Sequence, residues 1–120
     1  LGTNDLLTMV RSGSAKVAVR MEQFLTELLN TQPNVCRTEQ ILLIAPPSTV
    51  LGKMAPSSAA LDEACRELGD YYADIAGKLH IHFANASVWP VELGPDGVHM
   101  TVTGHQIFAE EMKKVLADIF

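Results

Sequence analysis

Apolar residues recur along the chain in two alternating patterns, one helical and one typical of strands. Spacing near 3.6 residues predicts helices over Ser14–Leu29, over Ser58–Ala76 and from Thr103 onward. Short continuous apolar runs predict strands at Glu39–Ala45, which reads EQILLIA, and at Leu79–Ala84, which reads LHIHFA. Helices that alternate with short apolar strands indicate an α/β fold with a parallel sheet.

The same pattern predicts where the elements end and which residues face the core. Ser12 or Ser14 is expected to cap the start of the first helix, and Asn30 with Pro33 to end it. Pro46-Pro47 should end the first strand, and Gly77-Lys78 should end the second helix. Thr103 and Gln106 form a capping-box pattern at the start of the last helix. The expected core positions are Val17, Met21, Phe24, Leu25, Leu28 and Leu29, then Leu61, Ala64, Cys65, Leu68, Tyr72 and Ile75, and finally Phe108, Met112, Val115, Leu116 and Ile119.

Two strands are too few for this kind of sheet. A two-stranded sheet is marginal by itself, and parallel strands need cover on both faces. The chain also opens on LGTND at Leu1–Asp5, which reads like the tip of a strand. We therefore expect residues 1–120 to be the C-terminal part of a single larger domain. Because an incomplete sheet leaves edges and apolar faces uncovered, further copies of the chain are expected partners.

Composition narrows the function classes. A chain of 120 residues and 13.0 kDa holds one domain at most, and 48% hydrophobic residues with 19% charged residues argue against disorder. A net charge of -5 without a basic stripe argues against a nucleic-acid partner. No apolar run approaches the roughly 20 residues of a membrane span. Cys36 and Cys65 fit no metal or redox spacing, so we expect free thiols and a cytoplasmic protein.

The segment PDGVH carries a candidate acid–base pair. Asp96 and His99 are three residues apart, so the carboxylate can fold back and accept a hydrogen bond from one imidazole nitrogen. The other nitrogen can then take a proton from a nucleophile, as in a Ser-His-Asp arrangement. The alternative is a turn aspartate beside a surface histidine, since Asp-Gly is a common turn. The spacing alone leaves both interpretations open.

The segment GTND carries a second candidate. An asparagine just past a strand, here Asn4, can direct its side-chain amide at a developing oxyanion. The alternative is a turn asparagine, with Asp5 capping a short helical turn.

Taken together, these segments resemble the SGNH hydrolases, the family of GDSL-type esterases and lipases. LGTND matches the third conserved block of that family through Gly2 and Asn4. PDGVH, followed by Thr101 and Gly104-His105, matches the fifth block. The resemblance covers essentially the whole chain. LGTNDL together with LLIAPP looks most like the arylesterase or acyltransferase branch, which handles short acyl esters.

The resemblance implies a fold, a reaction and roles for three residues. The fold is a flavodoxin-like three-layer α/β/α sandwich, of which the chain holds the C-terminal half. The reaction is hydrolysis of an ester, the small-molecule substrate, through an acyl-serine intermediate without a metal or an organic cofactor. Asn4 corresponds to an oxyanion-hole side chain, His99 to the general base and then the general acid, and Asp96 to the residue that orients His99.

The family's nucleophile is not found in the chain. No serine lies in a Gly-Asp-Ser context, and the glycine of the second block, another oxyanion donor, is also missing. We expect an N-terminal segment of the same protein to supply both, so the isolated chain should be inactive. The serines present are Ser12, Ser14, Ser48, Ser57, Ser58 and Ser87.

Other features support different interpretations. His80 and His82 form an H-x-H pattern, which suits half a metal site or ordinary histidines on a sheet face. Trp89 lies in the long loop Asn85–Val102 and can line a substrate pocket or pack that loop on the core. His105 is expected to face solvent. The main alternative to an esterase is a non-catalytic, flavodoxin-like module that binds a partner through its exposed sheet edge. A phosphate-binding domain lacks the glycine-rich loop that it needs.

Overall fold

A computed structural model of the chain describes residues 1–8 and 13–120. The fold is mixed α/β with a small parallel sheet, in agreement with the predicted class and consistent with a flavodoxin-like arrangement. Its helices and strands, in chain order over the described residues, are α1 (Thr3–Thr8), α2 (Gly13–Thr31), β1 (Leu42–Ala45), α3 (Ala59–Leu79), β2 (His82–Asn85) and α4 (Val102–Ile119).

The two strands pair in parallel, and α3 makes the crossover between them. Leu42 is opposite His82, and the register continues to Ala45 opposite Asn85. Parallel neighbours cannot be joined by a tight turn, so the chain must return along the sheet before the second strand begins. Both strands therefore end at the same edge, where the segments that follow them meet.

Helix α3 forms the centre of the core. Its predicted stripe is confirmed, since Cys65, Leu68 and Tyr72 are fully buried. Helix α2 packs against this stripe through Val17 and Leu25, both 4% exposed. The short helix α1 adds Leu6 to the same core. These contacts join α1, α2 and α3 in one core.

Some of the predicted core positions are wrong. Phe24 is 55% exposed and Leu116 is 41% exposed, although both fit the helical spacing. The other predicted positions on α4 are only half-buried. Periodicity identifies which face of a helix is apolar, but burial also requires a neighbouring element that covers it.

Strand β1 is also less covered than predicted. Leu43 and Ala45 are buried, whereas Leu42 and Ile44 are half-buried, so the burial alternates instead of extending to both faces. Part of this strand lines an open apolar groove, whose other walls include Leu1 and residues of α2.

Several predicted boundaries need correction. The strand predicted at Glu39–Ala45 begins only at Leu42, because Thr38–Gln40 forms a 3₁₀ turn. The second helix does not close at Gly77-Lys78 but continues to Leu79, and His80 caps it in the left-handed conformation with φ of 55°. The second strand consequently starts at His82, not at Leu79.

The predicted helix caps also differ from those observed. Thr101, not Thr103, caps α4, because its hydroxyl oxygen accepts a hydrogen bond from the Gly104 N–H at 3.0 Å. Ser14 is the second residue of α2 and so is not its cap, and its hydroxyl donates to Glu67 instead. Ser12, the other predicted cap, lies outside the described residues.

Among the residues that the structure describes, no helix is both long enough and apolar enough to cross a membrane.

We predict that truncating Leu68 to alanine lowers the free energy of unfolding by about 2–5 kcal/mol, because the fully buried side chain would leave a cavity at the centre of the core. Val88→Ala is the control, since Val88 is 75% exposed and its truncation should change the same quantity by ~0.5 kcal/mol or less. Urea unfolding followed by circular dichroism measures both variants. Equal losses in the two would contradict this location of the core.

Candidate active site

The turn after the second strand holds Asp96 and His99 in direct contact. One carboxylate oxygen, Oδ1, accepts hydrogen bonds from the N–H groups of Val98 and His99, each at 2.9 Å. The other, Oδ2, lies 2.6 Å from Nδ1 of the His99 ring. Gly97 lies between them with φ of 71°, a conformation that glycine adopts at little cost. The carboxylate therefore folds back onto the imidazole, as the spacing predicts.

These hydrogen bonds determine the charge on Asp96. The bond from the His99 ring, followed by the two backbone bonds, lowers the pKa of Asp96 from 3.8 to about 2. The carboxylate is thus ionised at neutral pH and can only accept hydrogen bonds. This arrangement places the ring proton on Nδ1 and leaves Nε2 of His99 as the atom able to accept another proton.

The turn lies within the long loop predicted over Asn85–Val102, whose end residues belong to β2 and α4. The backbone of this loop is locally structured. Residues Ala86–Val88 form a 3₁₀ turn, and Leu93 pairs with Met100 in an antiparallel bridge. The Gly94 N–H donates to the His99 carbonyl at 2.8 Å, which closes the hairpin just outside the Asp96–His99 pair. This backbone pairing holds the imidazole at the tip of a small, defined loop.

Asn4 lies on helix α1, and not just past a strand as predicted. Asp5 lies in the first turn of the same helix. The fully buried Tyr72 holds the start of this segment, since its hydroxyl donates to the Leu1 carbonyl at 3.3 Å. Burial, and then the nearby Asp5 charge, raises the pKa of Tyr72 to about 12, so the hydroxyl keeps its proton.

Asn4 and His99 line one open cleft. Its other walls are Thr3, Pro47, Val98, Met100 and His105. The structure therefore brings together all three residues singled out in the sequence, because Asp96 is bonded to His99 and His99 shares the cleft with Asn4. Pro47, which follows β1, is part of the same wall.

His105 is a wall residue that sequence reasoning did not assign to the site. It is exposed, as expected, but it also lines the cleft. Its place follows from the Thr101 cap, which lies two residues after His99, so that the first turn of α4 is at the cleft. A histidine in the first turn of a helix that begins beside a catalytic candidate is the signal that could have identified it.

No serine among the described residues lines this cleft. The Ser48 hydroxyl donates to the Ser87 carbonyl at 3.3 Å, and the Ser87 hydroxyl donates to Asn85 at 2.6 Å. Ser14 bonds to Glu67 on the other side of the core.

The remaining candidates have structural roles. His80 is the cap of α3 and His82 opens β2, so the two do not share a strand face. The His82 ring packs edge-on against Phe120, and no cluster of three metal-ligating side chains occurs in residues 1–8 and 13–120. Trp89 packs edge-on against Phe108 on α4, with ring centroids 5.2 Å apart. Cys36 and Cys65 are free thiols, as predicted.

We predict that the Asp96 carboxyl titrates with a midpoint of about 2 in carbon-13 NMR. Because this pKa is below the ordinary 3.8, the pair stabilises the fold above pH 3.8, and that contribution is lost as the pH falls through about 2. In His99→Ala the midpoint should rise but stay below 3.8, since two backbone donors remain. His82→Ala should leave it unchanged. A wild-type midpoint near 3.8 would show that the pair does not form.

Comparison with known proteins adds one positive finding. Residues 1–112 match the family model described as GDSL-like Lipase/Acylhydrolase. No curated protein and no solved structure gives a significant match. The family match spans nearly the whole chain and includes both LGTND and PDGVH, which confirms the resemblance drawn from those two segments. The chain therefore belongs to the GDSL-like lipase/acylhydrolase family, the SGNH hydrolases.

Proposed function

We propose that the protein is a serine esterase or acyltransferase that acts on short acyl esters through an acyl-serine intermediate. Family membership supports a hydrolase. The observation that carries the proposal is the 2.6 Å contact between Asp96 Oδ2 and His99 Nδ1, in a turn whose histidine shares a cleft with Asn4. An oriented imidazole beside an amide donor is what acyl transfer requires.

In the proposed mechanism, Nε2 of His99 takes the proton of a serine hydroxyl while the serine oxygen attacks the ester carbonyl carbon. Asn4 donates a hydrogen bond from its side-chain amide to the oxyanion that forms. The bond to the leaving alcohol then breaks, and the His99 imidazolium returns the proton to that alcohol. Water or a second alcohol repeats the sequence on the acyl-serine and regenerates the serine hydroxyl.

Asp96 remains ionised throughout this cycle. Its pKa of about 2 lies far below that of an imidazolium, so the proton stays on His99. The carboxylate stabilises the imidazolium and keeps the ring oriented with Nε2 towards the cleft. This role is one of orientation and charge stabilisation, without a second proton transfer.

We further propose that the nucleophilic serine lies in an N-terminal segment of the same protein, which completes the domain of residues 1–120. Two observations support this. No described serine lines the His99 cleft, and β1 borders an open apolar groove beside Leu1 that another parallel strand would cover. Without the nucleophile no acyl-enzyme forms, and by analogy with serine proteases only a residual acceleration of ~10³–10⁴-fold over water can remain.

The cleft walls support a short acyl group. Pro47, Val98 and Met100 provide apolar surface next to His99, and the cleft is open to solvent. Such a wall can bury a few methyl or methylene groups, each contributing about 0.8 kcal/mol of binding free energy. The arylesterase or acyltransferase branch, indicated by LGTNDL and LLIAPP, fits this interpretation.

We predict that His99→Ala in the full-length protein lowers kcat for an aryl acetate by ~10⁴-fold or more, because the general base is lost. Asn4→Ala should lower kcat by ~10²–10³-fold, since one oxyanion donor is removed. His80→Asn is the control, because asparagine tolerates the left-handed cap and His80 is away from the cleft. Full turnover in His99→Ala would refute His99 as the general base, whereas a wild-type protein without turnover would favour the non-catalytic interaction module.

We predict that a fluorophosphonate probe labels the full-length protein on a serine outside residues 1–120. The 13 kDa chain alone should neither react with the probe nor hydrolyse an aryl acetate, because no described serine can reach His99 through the cleft. Intact-mass spectrometry of the same samples shows which species is present. A sole 13 kDa species that hydrolyses the ester would disprove the proposed position of the nucleophile.

A further inference from the structure

The buried carboxylate of Asp62 has no part in the proposed chemistry. Asp62 lies in the first turn of α3 and is 8% exposed. Its Oδ1 accepts hydrogen bonds from the Thr49 hydroxyl at 2.6 Å and the Leu51 N–H at 2.8 Å. Its Oδ2 accepts one from the Gly52 N–H at 2.7 Å. All three donors belong to the segment of residues 46–53 that leaves β1, hereafter the β1 exit loop.

A buried carboxylate is retained only where its hydrogen-bond capacity is satisfied. Burial by itself raises the pKa of Asp62, but the bonds from Thr49, Gly52 and Leu51 together outweigh it, and the resulting pKa is below the ordinary value. The carboxylate is therefore charged at neutral pH. Hydrogen bonds to an ionised acceptor are about twice as strong as neutral ones, so the β1 exit loop is firmly attached to α3.

The packing around Gly52 agrees with this attachment. A Cβ atom at position 52 would lie 3.0 Å from Asp62 Oδ2 and 3.1 Å from the Ala59 Cα. The backbone of the loop thus approaches α3 closely at the residue whose N–H binds the carboxylate. The contact with Ala59 is therefore a feature of this junction in addition to the Asp62 hydrogen bonds.

The same loop also contacts the turn that carries His99. The Val50 N–H donates to the Gly97 carbonyl at 2.9 Å. A Cβ atom at position 97 would lie 3.3 Å from the Val50 carbonyl carbon, so the two backbones are in close contact at this point. Val50 lies between Thr49 and Leu51, two of the residues that Asp62 holds. Asp62 on α3 is therefore connected to the His99 turn through the β1 exit loop and the backbone hydrogen bond from Val50 to Gly97.

The turn is held together internally, because Asp96 binds two N–H groups and the imidazole of its own turn. What the turn cannot determine by itself is its distance from Asn4 on α1. We propose that Asp62 is a positioning residue for the acyl-transfer site: by holding the β1 exit loop, it fixes where the His99 turn lies relative to Asn4. The proposal rests on the esterase function proposed above, and Pro47 on the same loop provides part of the cleft wall.

Asp62→Asn in the full-length protein tests this proposal, with Asp70→Asn as the matched control on the exposed side of α3. The loss of charge weakens the hydrogen bonds that hold the β1 exit loop on α3. The kcat for an aryl acetate should therefore fall by on the order of 10–10²-fold, with KM nearly unchanged. Thr49→Val removes one of the three bonds and should give a smaller loss of kcat. Both measurements are made at a temperature at which circular dichroism shows the variants to be folded.

Amide hydrogen exchange supplies a readout that does not depend on activity. In Asp62→Asn and Thr49→Val, exchange at Val50, Leu51 and Gly52 should accelerate, while exchange in the α2 and α3 core stays at the rate of Asp70→Asn. The Asp96 midpoint should remain at about 2, because the turn keeps its own bonds. If Asp62→Asn does not fold, the kcat and exchange of Thr49→Val decide the outcome.

Two results would overturn the proposal. One is a kcat in the folded variants equal to that of Asp70→Asn, and the other is accelerated exchange throughout the core, which would indicate loss of global stability alone. A wild-type protein without esterase activity would instead refute the proposed function, and the exchange data would still show whether Asp62 holds the loop.

Discussion

The carboxylate of Asp96 is the interaction on which the proposed chemistry depends. It accepts three hydrogen bonds within four residues of chain, two from backbone N–H groups and one from the His99 ring. Local bonds of this kind need little support from the rest of the fold, since the loop that they close is short. An exposed turn can therefore hold an imidazole in a defined orientation, although neither side chain is buried.

The cleft itself requires the whole fold. Asn4 comes from α1, Pro47 from the β1 exit loop, and His99 from the hairpin that precedes α4. These segments meet because β1 and β2 run in parallel and both end at the same edge of the sheet. Ligand sites in open α/β sheets lie at this edge for the same topological reason. The family match and the arrangement of the cleft thus support one another.

The helical face of α3 and the local site pair could be predicted from the sequence. The stripe of α3 repeats every 3.6 residues, and the core forms along it. Asp96 and His99 are three residues apart in a glycine turn, so short-range geometry permits the contact that the structure shows. The limits of the elements were harder to predict. His80, not Gly77, caps α3 in the left-handed conformation, with its N–H bonded to the Ala76 and Gly77 carbonyls, although glycine is the residue usually found at such a cap.

The sequence by itself predicted the α/β class with a parallel sheet and made a contact between Asp96 and His99 possible, because helical and strand patterns and a three-residue spacing are local features of the chain. The tertiary structure decided which residues share the cleft, including His105, and how Asp62 reaches the His99 turn through the β1 exit loop. It also decided that Phe24 and Leu116 stay exposed despite their helical spacing. Contacts of this second kind join residues far apart in sequence, and no local periodicity encodes which distant element will cover a given side chain.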